Sequence, residues 1–245
     1  MANPIKLRAV VSKILPFGEG VYEVSLTPAG SIPRHKPGQF LHLTVDEYDP
    51  AGGFWPESRV FSIASAWGSG DLKIIYSVKG RYTKRMEEVL KAGTEVWLKL
   101  PYGEFIIENA LNEKQTAVLV AGGTGVSPFL PFLENRMKIG IAERDIRLYY
   151  GVRRNAMLLG LQLIEQSAQM GVSTTILVED EEPDFKATLS GKHGRLDIGK
   201  IIDECRYLEN PAFFLSGPPQ MIRAFKESMG ANGIAKDNII IDEWE

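Results

Sequence analysis

The sequence predicts two domains: an antiparallel β-barrel over residues 1–110, then an α/β domain on a parallel sheet over residues 111–245. Three observations predict this. The first part carries short runs of alternating apolar and polar residues, separated by glycine and proline clusters. The second part alternates β-type runs with stretches of helical periodicity, the pattern of βαβ units. Between them, Glu108–Lys114 is polar and follows neither pattern, so the domain break is placed there. A chain of 245 residues with 44% hydrophobic content is long enough for two modest cores.

The predicted barrel strands are Lys6–Val11, Val21–Leu26, Phe40–Val45, Asp71–Val78 and Glu95–Leu100, with a further strand-like segment at Arg59–Ser65. Gly18–Glu19–Gly20, Pro37–Gly38 and Trp67–Gly70 supply turns between them. One helix interrupts the strands, from Thr83 to about Leu90, with Gly93 as its C-terminal stop. In the second part, strands are predicted at Thr116–Ala121, Ile146–Tyr150, Thr174–Val178, Ala212–Leu215 and Asn238–Ile241. Helices are predicted at Ala156–Met170 and Gln220–Met229. Ligands of such sheets bind at the carboxyl ends of the strands. Gly122–Gly125, Gly151–Arg154 and Ser216–Pro218 all follow strands and fall on that edge.

The run Val118–Leu119–Val120–Ala121–Gly122–Gly123–Thr124–Gly125 carries the most information. It reads as a buried strand stopping at a glycine turn that feeds a helix. Without Cβ atoms, Gly122, Gly123 and Gly125 let backbone N–H groups approach a ligand closely. Ser127 is placed as an N-cap and Pro128 at the first helical position, an arrangement that favours a phosphate. Pro131 near the fourth helical position requires a late start or a kink. The run matches neither G-x-G-x-x-G nor a Walker loop.

Two more segments join it: Arg59–Val60–Phe61–Ser62–Ile63–Ala64–Ser65 upstream, and Phe213–Phe214–Leu215–Ser216–Gly217–Pro218–Pro219–Gln220–Met221 downstream. In this order the three segments resemble the ferredoxin–NAD(P) reductase superfamily. That pattern has Arg-x-aromatic-Ser for flavin, Gly-Gly-Thr-Gly for the nicotinamide nucleotide and Cys-Gly-Pro-Pro near the end. Here Ser216 replaces the cysteine, and Phe61 stands where tyrosine is commoner. The resemblance covers nearly the whole chain and makes residues 1–110 the flavin domain and 111–245 the nucleotide domain.

The resemblance gives Arg59 the flavin phosphate, Phe61 the ring and ribityl chain, and Ser62 the N5 edge, with Val60 between them. Strand alternation puts Phe61 on the face of Arg59 and Ser62 opposite, unless the strand bends. Gly80–Arg81–Tyr82–Thr83 resembles the family's Gly-x-x-Ser/Thr pyrophosphate segment and implies FAD rather than FMN. Thr124 lies by resemblance near the nicotinamide ribose, Gly217 and Pro218 shape the pocket wall, and Ser216 is close to the reacting atoms. Arg153 and Arg154, joined by Arg195, are basic partners for a 2′-phosphate, so NADP(H) is expected over NAD(H). Trp244 resembles the terminal aromatic that covers the flavin in family members and moves aside for nicotinamide, and Asp242 and Glu243 are near candidates.

The implied activity takes a hydride from NAD(P)H to FAD and passes electrons singly to a small redox protein such as ferredoxin or flavodoxin. Two further readings stay open: a free-flavin reductase or oxygenase reductase component, and a non-catalytic nucleotide-binding redox-sensing subunit. A net charge of −3 makes no case for nucleic acid or an anionic membrane, and no apolar run reaches the length of a membrane span. The N-terminus enters a strand-like segment with no signal-type apolar region, so a cytoplasmic location is expected. A single cysteine, Cys205, excludes an internal disulfide and a four-cysteine iron–sulfur cluster within this sequence. His35, His42 and His193 follow no metal-ligand spacing, so no metal is expected.

Overall fold

Two six-stranded sheets organise the chain. The computed structural model describes residues 3–112, 115–139, 145–185 and 189–242. The first sheet is built from β1 (Ile5–Pro16), β2 (Val21–Pro28), β3 (Phe40–Thr44), β4 (Arg59–Ser62), β5 (Leu72–Ser77) and β6 (Glu95–Tyr102). Its order is β4-β3-β6-β1-β2-β5, and every pairing is antiparallel. The two edge strands come together where the Ala64 N–H donates to the Lys73 carbonyl at 2.8 Å, so the sheet is a near-closed barrel. Helix α1 (Arg81–Val89) packs its buried Tyr82 and Met86 into the barrel core beside Leu26, Leu41, Leu43 and Leu98.

The second sheet holds β7 (Ala117–Gly122), β8 (Ile146–Val152), β9 (Ser173–Val178), β10 (Ser190–His193), β11 (Ala212–Ser216) and β12 (Ile239–Ile241), in the order β10-β9-β8-β7-β11-β12, all parallel. The chain walks outward from β7 to β10, then returns to lay β11 on the other side of β7. That reversal makes the carboxyl ends of β7 and β11 the switch point where an open α/β sheet forms its crevice. All six residues of β7 are buried. Ala117, Leu119 and Ala121 face one apolar layer, and Val118 and Val120 the other. The first layer includes α2 (Phe129–Ile139) and α3 (Leu161–Gln169), and the second includes α4 (Ile198–Cys205) and α5 (Pro219–Ala231).

The structure redraws several predicted elements. The helix expected over Ala156–Met170 is interrupted: a 3-10 turn covers Asn155–Met157, and α3 begins only after Gly160, whose φ of +66° breaks the helix. Ser127 is not an N-cap. A 3-10 turn spans Gly123–Val126, and the Ser127 hydroxyl donates back to the Thr124 carbonyl at 2.6 Å. With α2 starting at Phe129, Pro131 occupies the first turn, where its missing N–H breaks no helical bond. β10 and α4 were not predicted as elements.

The two sheets share an apolar seam. Val21, Ala64 and Ile75 of the barrel lie in one cluster with Phe105, Phe129 and Phe214. Phe105 sits 6.2 Å from Phe129 and 6.0 Å from Phe214, ring centre to ring centre. His35 fastens the exit of β4: its Nε2 bonds the Ser65 carbonyl at 3.0 Å. Burial holds His35 below its ordinary 6.5, and burial followed by the Lys99 charge does the same for His42. A base kept neutral by the fold takes up its proton more readily in the unfolded chain, so stability should fall as pH drops below 6.5. Melting temperatures measured between about pH 7 and pH 5 should decline, and His35→Gln, which keeps a donor for Ser65, should make the decline shallower. Identical slopes would remove His35 as a contributor.

Candidate functional site

A cleft of about 980 Å³ opens at the β7/β11 switch point and runs to the barrel edge. Its barrel wall is Val60, Phe61 and Ser62 of β4 with Ile75, Tyr76, Ser77 and Lys79 from and after β5. The opposite wall is Gly122–Gly125, Ser127 and Ser216–Met221. Arg153, Glu179 and Arg195 close one end. Sequence segments separated by more than a hundred residues thus meet around one space.

The glycine turn has two separate reasons for its glycines. At Gly125 an added Cβ would lie 2.3 Å from the Ser216 carbonyl oxygen and 2.5 Å from the Gly217 nitrogen, so its glycine serves close packing of the two strand ends. At Gly123 an added Cβ would meet nothing within 4 Å, but φ is +54°. Here the left-handed backbone calls for glycine and leaves the turn open to the cleft.

Ser216 closes β11, is 2% exposed, and donates from Oγ to Oδ2 of Asp242 at 2.9 Å. Asp242 is 3% exposed and its N–H donates to the Leu215 carbonyl at 2.9 Å, which places its carboxylate on the cleft wall. On the barrel side, Ser62 is buried, and Phe61 packs 6.1 Å from Tyr76. Tyr76 in turn stacks on Tyr22 at 5.3 Å. Burial, with Tyr22 and Glu87 nearby, pushes the Tyr76 hydroxyl up from its ordinary 10.0 and keeps it protonated. Val60, Phe61 and Ser62 all reach the cleft, so the strand does not divide them strictly between two faces.

Arg59 does not line the cleft. Its guanidinium lies 4.7 Å over the Tyr82 ring, donates to the Ser58 carbonyl at 2.8 Å and pairs with Glu57 at 2.9 Å. Gly80, Arg81, Tyr82 and Thr83 likewise stand beside the cleft, not on its wall. Arg81 reaches the same Glu57 at 3.5 Å, so Arg59 and the α1 N-terminus form one neighbourhood joined by a carboxylate. Thr83 Oγ1 accepts from the Lys79 and Gly80 N–H groups at 2.9 and 3.1 Å, and Tyr82 is buried with its hydroxyl donating to the Glu57 carbonyl at 3.1 Å. Arg153 lines the cleft and Arg154 does not. Both are paired with Glu19 and Asp180, while Arg195 is paired with Glu179.

Tyr76, Ser77, Lys79 and Glu179 were missed in the sequence. The available signal was position: Tyr76–Lys79 ends β5 just before the Gly80 segment, and Glu179 follows β9 on the sheet's carboxyl edge. Trp244 and Glu243 lie outside the described residues. Among the described residues, no cluster of His, Cys, Asp or Glu is placed to hold a metal ion, and no helix is long and apolar enough to cross a membrane.

Residues 119–227 match the model of the oxidoreductase NAD-binding domain. The reductase component of propane 2-monooxygenase from Rhodococcus jostii is 27% identical over 97% of this chain and 63% of its own length. The cytochrome P450 reductase of Amycolatopsis superposes with a TM-score of 0.80 at 23% identity, over 98% of this chain and 70% of that one. A ferredoxin NADP+ reductase from Neisseria gonorrhoeae, solved with bound FAD and NADP, superposes at 0.75 with 16% identity over 98% of both chains. The chain therefore carries an oxidoreductase NAD-binding domain match over residues 119–227 and is similar along nearly its whole length to these reductases. It shares the fold of these solved structures, a near-closed antiparallel barrel beside a parallel sheet. It spans 59% to 63% of the length of three propane 2-monooxygenase reductase components that it matches.

Alanine at Gly125 and at Gly123 separates the two glycine requirements. Gly125→Ala drives a Cβ into backbone that cannot rotate away and should cost more than about 2 kcal/mol. Gly123→Ala meets only the left-handed penalty of about 1–2 kcal/mol. Chemical denaturation of both variants checks the order, and equal losses would contradict the packing argument.

Proposed function

We propose that the chain is a flavin-dependent oxidoreductase that takes reducing equivalents from NAD(P)H through FAD to a small electron-carrier protein such as ferredoxin or flavodoxin. The observation that carries the reading is the single cleft in which β4 faces the glycine turn of β7 and the Ser216–Pro218 end of β11. The fold shared with solved reductases and the oxidoreductase NAD-binding match over residues 119–227 support it. A second reading, the reductase component of an oxygenase, is favoured by the similarity to the Rhodococcus propane 2-monooxygenase reductase component.

The residues present fit FAD. Gly123 exposes an open left-handed turn, Ser62 and Ser216 bring hydroxyls to opposite walls, and Arg59 stands at the N-terminal end of α1. Bound FAD would supply the two-electron acceptor that can release electrons one at a time. In the proposal, Arg59 and the Gly80–Thr83 end of α1 hold the phosphates, which displaces Glu57 from Arg59. Val60 and Phe61 pack on the ring system, with Tyr76 behind Phe61. Ser62 donates at the N5 edge. On the nucleotide side, Gly122–Gly125 admit the nucleotide to the strand ends, Thr124 reaches the ribose, and Gly217 and Pro218 form the wall. Ser216, oriented by Asp242, positions the nicotinamide. Trp244 keeps its role as a flavin cover on the sequence alone.

The expected preference for NADP(H) rested on Arg153, Arg154 and Arg195. All three are ion-paired, and Glu179 lines the cleft. A carboxylate at the end of a strand accepts from a ribose 2′-hydroxyl and repels a 2′-phosphate. We therefore propose NAD(H) as the preferred nucleotide.

Acid extraction of the purified yellow protein, followed by chromatography, should release FAD. Release of FMN alone would remove the pyrophosphate assignment, and a colourless protein that cannot be reconstituted would remove the flavin reading. Arg59→Ala should lower flavin affinity roughly ten- to a hundredfold with the fold intact, the value of a charged hydrogen bond to phosphate. Unchanged flavin retention after dialysis would return Arg59 to a partner of Glu57 alone. Anaerobic reduction by NADH, followed by a dye and then candidate carrier proteins, distinguishes turnover from a non-catalytic sensor.

A further inference from the structure

We propose that Glu19 is a specificity-determining residue: from the β1–β2 turn of the barrel it crosses to the second sheet, holds Arg153 and Arg154, and so sets the cleft against a nucleotide carrying a 2′-phosphate. The inference rests on the nucleotide reading of the cleft and adds a selector contributed by the other sheet.

The turn is built to present this side chain. Gly18, Glu19 and Gly20 have φ of +79°, +48° and +72°, a left-handed course that a glutamate rarely adopts. Bonds on both sides fix the course: Phe17 N–H to the Val21 carbonyl at 2.8 Å, Val21 N–H to the Gly18 carbonyl at 2.9 Å, and Val78 N–H to the Gly20 carbonyl at 2.8 Å. Each Glu19 oxygen takes one arginine. Oε2 is 3.1 Å from Arg153, and Oε1 is 3.4 Å from Arg154. Asp180 faces the same two guanidiniums more distantly, at 3.6 and 3.9 Å. Two cations and two anions cancel.

Arg153 lines the cleft, and its neighbours there are Glu179 and Arg195, themselves a pair. A 2′-phosphate brings about one and a half to two negative charges. Binding it requires a guanidinium to leave Glu19 and the released carboxylate to remain close to the phosphate. A 2′-hydroxyl requires neither. Glu19 makes the shorter contact with each arginine, so its removal frees the arginines more than removal of Asp180 does.

The test is kcat/KM for NADPH and for NADH, measured by dye reduction with the FAD-loaded wild type, Glu19→Gln and Glu19→Asn. Glutamine keeps the length and removes the charge. Asparagine takes the left-handed region readily, so at least one variant should fold if the other does not. The selectivity ratio should move toward NADPH by roughly three- to tenfold in both variants, the range expected for partly exposed ion pairs. Replacing Arg153 and Arg154 by glutamine in the Glu19→Gln background should abolish that gain. An unchanged ratio in folded variants would overturn the inference. So would equal losses with both nucleotides and a lower melting temperature, the signature of a tether between the sheets. Bound flavin that is reduced by neither nucleotide in the wild type would overturn the nucleotide reading itself, and the selector with it.

Discussion

The cleft depends on one close approach, between the Gly125 backbone and the carbonyl end of Ser216. No side chain fits between them, since an ideal Cβ at Gly125 would sit 2.3 Å from the Ser216 oxygen. This contact draws the turn after β7 against the end of β11 at the point where the strand order reverses. Gly122 is pressed in the same way, with the Met221 sulfur and Pro218 ring 2.8 and 2.9 Å from where its Cβ would be. The glycine turn and the Ser-Gly-Pro-Pro segment are therefore one unit of packing. Their adjacency follows from sterics before any ligand is considered, and the open Gly123 is what that unit leaves facing the cleft.

Electrostatics impose a second constraint. The arginines that sequence reasoning offered to phosphates each have a carboxylate partner: Arg59 and Arg81 share Glu57, Arg153 and Arg154 share Glu19 and Asp180, and Arg195 holds Glu179. These pairs are partly exposed, with arginine side chains from 46% to 90% accessible, so each is worth little as stability. Their consequence is for recognition. A phosphate must exchange with a carboxylate, not fall onto a bare cation, and affinity then depends on geometry that favours the phosphate. At Arg59 the neighbouring α1 N-terminus adds such geometry. At Arg153 and Arg154 the added groups are acidic, which turns the same chemistry into discrimination.

How far the sequence could be read follows from which signals are local. Strands such as β7 and β11 are unbroken apolar runs because both their faces are buried, and parts of β1 and β6 alternate because one face is wet. β10 escaped because all four of its residues, Ser190–His193, are exposed and carry no apolar pattern. The helix over Ala156–Met170 was read too long because Leu158 and Leu159 are buried at helical spacing although they precede the Gly160 break. At the site, Ser62, Gly122–Gly125 and Ser216–Pro218 were legible because composition marks them. Tyr76, Ser77, Lys79 and Glu179 carry ordinary residue types, and only the tertiary fold brings them to the wall. Ion pairing was invisible for the same reason: Glu19 and Arg153 are far apart in the chain and belong to different sheets.

The relation between the sheets combines packing with exchangeable charge. An apolar seam around Phe105 joins them beneath the cleft, where Val21 and Ile75 of the barrel meet Phe129 and Phe214. Polar contacts extend the junction, with the Ala66 N–H donating to Glu134 Oε2 at 3.1 Å and Glu19 reaching Arg153. The seam is buried and apolar, so it fixes the distance between β4 and the β7 turn. The Glu19 bridge is solvent-exposed and exchangeable, so it can yield to a competing anion without disturbing the seam. In the proposed function, a floor set by packing would hold flavin and nicotinamide in fixed apposition, and a rim set by exchangeable charge would choose between nucleotides with and without a 2′-phosphate.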